Sequence, residues 1–152
     1  QGLLLALGIY LFGHPVAGVW IGLAMAAGVT TWSLHAWLPR RWANLGGLLV
    51  ARHPMIQSQW GQSYIMGTFP MCAGALLFGS VGYCRHQPSP AYGILIGLSA
   101  VMLSISRPFE GLIACLCVGG FLIYRFVAHA VHRKRLLGSI VLPAGVTVSV
   151  GL

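Results

Sequence analysis

Ser106-Arg107-Pro108-Phe109-Glu110-Gly111 holds the densest chemistry in this 152-residue chain. Glu110 is its only acidic side chain, set three positions after Arg107. No charged residue occurs in 91–106 on one side or in 111–124 on the other. Pro108 has no N–H and biases Arg107 away from the α region, so one helix should stop at Ser106 or Arg107. Proline fits the first turn of a new helix, and Glu110 in that turn meets the positive end of its dipole. The expectation is two helices joined by a tight polar break, with Arg107 and Glu110 within reach of each other. Charged residues in apolar surroundings mark a functional site by default. The same pair also fits a purely structural role, pinning a helical hairpin.

Other chemistry is sparse. The sequence carries no nucleotide loop, Walker lysine, Rossmann glycine pattern or zinc spacing. A single acid rules out a carboxylate pair. A general base would have to be Glu110 or one of the six histidines, and no nucleophile is placed beside any of them. No catalytic residue, metal site or cofactor is therefore assigned. His129 and His132 share a helical face, but beside a basic cluster they read as interface markers. Cys115 and Cys117, two apart on a helix, point to opposite faces, and Cys72 and Cys84 lie near opposite ends of another apolar segment. All four read as buried free thiols.

Stepping outward, the elements that must position the break are apolar. The chain is 57% hydrophobic and 7% charged, with a mean hydropathy of +0.83, where a soluble domain would carry roughly a quarter charged residues. That composition predicts an all-α, polytopic transmembrane helical bundle in a bilayer. The net charge of +8 does not point to nucleic acid, because the basic residues sit in short groups between apolar runs. Arg40-Arg41 and Arg133-Lys134-Arg135 instead read as cytoplasmic loop markers.

In chain order, 2–12 is too short to span and reads as a juxtamembrane or re-entrant helix, broken at Gly13-His14-Pro15. Residues 16–38 form a span, with Gly18 and Gly22 spaced for close helix packing and Trp32 and Trp37 near an interface. A marginal span over 43–56 follows, in which Arg52 must snorkel or pair. It leads to a polar loop with Gln57, Gln59 and Gln62. Residues 64–83 form a span kinked at Pro70, and 85–90 a loop. The hairpin helices come next, the second running to about residue 130. A last span begins at Leu136, kinked near Pro143. This gives about six spans in one transmembrane domain, 1–152, expected to be a piece of a longer membrane protein. With the basic groups inside, the Gly13-His14-Pro15 break, the glutamine loop and 106–111 all fall on the extracytoplasmic side.

Leu11-Phe12-Gly13-His14-Pro15, followed by the run from Val16, resembles the turn that precedes a span in bacterial polytopic glycosyltransferases of the GT-C superfamily. These include protein mannosyltransferase-like and aminoarabinose-transferase-like enzymes. Residues 97–108 are similar to a later pattern of that family at the outer end of a helix, with Arg107 where the family has lysine. The family's acidic loop would lie before Gln1. The resemblance implies a bacterial inner-membrane transferase using a polyprenyl-phosphate-linked sugar donor. Arg107 would anchor the donor phosphate and Glu110 orient it. Gln57, Gln59, Gln62 and Tyr64 would hydrogen-bond sugar hydroxyls. A secondary transporter, built on broken helices around a charged site, is the other class that fits, as is a non-catalytic membrane scaffold.

Overall fold

The computed structural model describes residues 2–53, 68–87, 89–128 and 141–151. Among these residues the protein is all-helical, with seven helices and no strand. They are α1 (Gly2–Phe12), α2 (Pro15–His35), α3 (Arg40–Arg52), α4 (Thr68–His86), α5 (Pro90–Ser106), α6 (Pro108–Ala128) and α7 (Leu142–Gly151). The chain divides into two compact units, Gln1–Ala75 and Leu76–Leu152, with the division inside α4.

Prolines set three of the starts, those of α2, α5 and α6. Pro15 and Pro90 each open a helix, preceded by extended residues His14 and Ser89. Their missing N–H groups fall where no intrahelical bond would form. Pro70 and Pro143 lie near the first described residues of α4 and α7. The expected span over 64–83 begins outside the described residues. Arg85 and His86 are the last turn of α4, not loop, where cations complement the carbonyl end of the helix dipole.

In the first unit α1 folds back on α2. Gly13, at φ 72°, makes the elbow, a conformation that glycine adopts without steric cost. A side chain on Gly8 would run into the Gly18 backbone, and Gly18 and Gly22 are buried as their spacing predicts. The helix α3 then packs on α2 through its own small residues: Ala43 is fully buried, Gly46 meets Leu34 and Gly47 meets Thr31. It starts at Arg40 and stops at Arg52, so the span expected over 43–56 is a shorter helix, about 20 Å long.

In the second unit α5 is the central element, packed on both α6 and α7. Its buried residues include Gly93, Ile96, Gly97 and Ser99. Tyr83 near the end of α4 stacks on Tyr92 at the start of α5, ring centroids 5.5 Å apart.

One described helix is long and apolar enough to cross a membrane: α2, 21 residues at a mean hydropathy of 1.4 and only 28% buried. A soluble core helix would be mostly covered by protein. Residues 90–106 and 108–124 are apolar but shorter.

Candidate functional site: the α5–α6 corner

One residue joins α5 to α6. Arg107, at φ −147° and ψ 84°, donates its N–H to Leu103 O at 2.8 Å and closes α5. Its own carbonyl accepts the N–H of Gly111 at 2.8 Å and opens α6. The Ser106 hydroxyl turns inward and donates to Met102 O at 2.8 Å, leaving the outer side of the corner to Arg107. The return helix comes so close that a Cβ on Gly111 would lie 3.0 Å from the Leu103 backbone. Glycine at 111 lets the two helices close on each other without a shift of the Leu103 backbone.

At this corner Arg107 Nη1 meets Glu110 Oε1 at 2.6 Å, across one turn (i, i+3), with the side chains 49% and 65% exposed. The sequence expectation of a tight break with the two charges in reach is met in both parts. Among the described residues Glu110 is the one partner of the Arg107 side chain. A guanidinium carries five N–H groups in a fixed fork, so this contact steers the fork and leaves most of its donors open. Phe109, between the two in sequence, is 86% exposed and points away from the pair by helical period.

Gln57, Gln59, Gln62 and Tyr64 lie outside the described residues, as do His129 and His132. Among the described residues no group of three or more metal-ligating side chains occurs. Free thiols are present as expected, but only Cys84 is buried; Cys72 and Cys115 are half-buried and Cys117 is exposed. On α6 the inward side is held by residues such as the buried Val118, about 100° round the helix from Cys117.

The α1–α2 elbow forms a second feature that pattern reading did not locate. Phe12, His14, Val16, Ala17, Trp20, Ile21 and Ala24 line an open groove of about 600 Å³. Its walls are hydrocarbon and aromatic, with His14 as the polar member. Residues 17, 20, 21 and 24 share one face of α2 by helical period, which is the signal available in sequence. The elbow that turns this stripe into a groove depends on Gly13. Two polar atoms are buried without a hydrogen-bond partner among the described residues, His35 Nε2 and Ser80 Oγ.

The chain matches no family model, no curated protein and no solved structure.

Proposed function

We propose that this chain is part of a polytopic, integral-membrane glycosyltransferase that transfers a sugar from a polyprenyl-phosphate-linked donor on the extracytoplasmic face of a bacterial inner membrane. The observation that carries the reading is the α5–α6 corner, where a guanidinium is held by the chain's one carboxylate at 2.6 Å while half exposed. It ends two apolar helices of 17 and 21 residues. A helix the length of α5 rises about 25 Å, close to the ~30 Å hydrocarbon thickness of a bilayer. If α5 starts at one interface, Arg107 reaches the other. Lipid-linked phosphates sit at that depth, and a planar guanidinium forms paired contacts with phosphate oxygens. Glu110 would orient the fork rather than neutralise it.

The remainder of the proposal follows the same logic. Leu112, Ile113 and Leu116 on α6, and Trp20 and Met25 on α2, are more than half exposed. An apolar surface of that extent suits lipid better than water. Gln57, Gln59, Gln62 and Tyr64 are proposed as hydroxyl partners for the sugar. The chemistry would need an acid or base other than Glu110, which is committed to Arg107.

The direct test is release of polyprenyl phosphate from a labelled polyprenyl-phosphate sugar by the purified full-length protein in lipid nanodiscs. Release that needs Arg107 supports the reading. No release from any donor offered, together with uptake of a solute into proteoliposomes, would replace it with the secondary-transporter reading.

A further inference from the structure

The helix α3 has a composition unlike its neighbours. It carries Arg40 and Arg41 at one end and Arg52 at the other, and no acid occurs anywhere in 40–53. One face is used: Ala43 and Gly47 are buried, and Gly46 and Gly47 bring α3 against Leu34 and Thr31 of α2. The opposite face is bare. Trp42 is 65%, Leu45 49% and Leu49 71% exposed. At about 100° per residue these three fall within about 60° of one another, and Arg41 and Arg52 lie within about 40° of Leu45. An apolar ridge therefore runs along the helix, flanked by an arginine near each end.

We propose that α3 lies in the membrane interface and docks this face on an anionic phospholipid surface. Its ridge of Trp42, Leu45 and Leu49 enters the acyl boundary, and Arg41 and Arg52, with Arg40 at the helix start, contact headgroup phosphates. The arginines flank the ridge on the same exposed side of the helix, so headgroup contact and acyl burial are made together, as in an interfacial helix.

Three arguments select this occupant. Charge is the first: the chain's one carboxylate is held by Arg107, so the α3 arginines have no acidic side chain to pair with and complement an anionic surface. Length is the second. As a span, α3 would carry Arg52 about 18 Å from Arg40, near the middle of a ~30 Å core, where an arginine is costly. In the interface all three arginines reach headgroups at once. Attachment is the third. The α2 partners of α3, Leu34 and Thr31, lie within about 6 Å of the α2 end at His35, where Trp32 and Trp37 suit the headgroup level. A nucleic acid would meet the arginines but leave the apolar ridge in water. This inference uses the membrane reading of α2 and is independent of sugar transfer, so failure of the donor assay leaves it standing.

The test uses the full chain in a cysteine-free background, reconstituted in vesicles of phosphatidylcholine alone or with phosphatidylglycerol. Nitroxides are placed singly at 44, 45, 48 and 49, and depth is read from oxygen and nickel-chelate accessibility. An interfacial helix gives a depth that oscillates with helical period about one shallow mean. A steady increase of about 1.5 Å per residue means a span and overturns the proposal. Spin-labelled lipids supply the second readout: phosphatidylglycerol should be retained over phosphatidylcholine, about fivefold for each arginine engaged. Replacing Arg40, Arg41 and Arg52 by Gln should abolish that preference, and replacing all three by Lys should preserve it. Equal retention of the two lipids by the parent chain overturns the proposal without relying on any arginine variant.

Discussion

Gly97 on α5 and Thr147 on α7 share one site: a single Cβ added at Gly97 would collide with the Thr147 hydroxyl and stand 2.7 Å from Ala144 O. The threonine cannot swing clear cheaply, because its hydroxyl donates back to Pro143 O at 3.0 Å and Ala144 O at 2.9 Å. Gly97→Ala is therefore expected to destabilise the second unit by about 1–3 kcal/mol, the usual range for overpacking. Thr147→Ala in that background should recover only part, since the Ala144 carbonyl remains in the way. Unfolding in mixed detergent micelles measures both. A Gly97→Ala variant as stable as the parent would show that α5 and α7 are not packed this closely.

Gly120 on α6 offers the contrast, because a Cβ there meets nothing within 4 Å. Gly120→Ala adds a methyl group into open space and removes backbone freedom from the unfolded chain. Stability should stay level or rise by up to about 1 kcal/mol. The same detergent titration decides it, and a loss as large as that of Gly97→Ala would mean that a surface outside the described residues covers Gly120.

The Arg107–Glu110 pair is short but wet on the protein side, 49% and 65% exposed. Exposed pairs couple by only about 0.2–1 kcal/mol, whereas stranding one member of a buried pair costs about 3–5 kcal/mol. A double-mutant cycle with Arg107→Gln and Glu110→Gln should give a coupling in the lower range. A coupling above 3 kcal/mol would place the corner in a dry environment and make the pair a structural pin. The hairpin itself rests more on the contact of Gly111 with Leu103 than on the ions.

The corner was legible because its cause is local: Pro108, a lone acid and two uncharged flanks determine the break within a few residues. The α2 boundaries and its buried Gly18 and Gly22 were legible for the same reason, proline chemistry at one end and small-residue spacing along the helix. The extent of α3 was misread, since an apolar run beginning at Ala43 hides the arginines that open the helix three residues earlier. Hydropathy sums over a window, whereas the amphipathic character of α3 lies in the angle between Trp42, Leu45, Leu49 and the arginines. The groove beside Trp20 needs tertiary geometry that no window contains.

Topology gives the next expectation. With Arg85 and the 133–135 cluster inside, positions 59 and 109 are expected outside, and an α3 that lies in the interface stands on that same outer face. Gln59→Cys and Phe109→Cys, made singly in a cysteine-free background, should react with a membrane-impermeant maleimide on intact cells. Arg85→Cys and Lys134→Cys should react only after permeabilisation. The reverse pattern at 85 and 109 would put Arg107 on the cytoplasmic face and remove the basis for an extracytoplasmic donor site.

Arg107→Lys separates a phosphate grip from a simple positive charge. Lysine keeps the charge and can still approach Glu110, but it presents a point charge in place of the planar fork. If Arg107 holds the donor phosphate through paired N–H contacts, the lysine variant should fold, keep the detergent stability of the parent, and lose donor affinity. A charge-assisted contact is worth roughly 1.5–3 kcal/mol, which corresponds to about ten- to a hundredfold in apparent donor affinity. The loss should appear in KM at limiting polyprenyl-phosphate sugar and spare turnover at saturation. Glu110→Gln should shift KM in the same direction by less, since it frees the fork without removing it. Parent-like donor use by Arg107→Lys at limiting donor excludes a bidentate grip and returns the pair to a structural role at the corner.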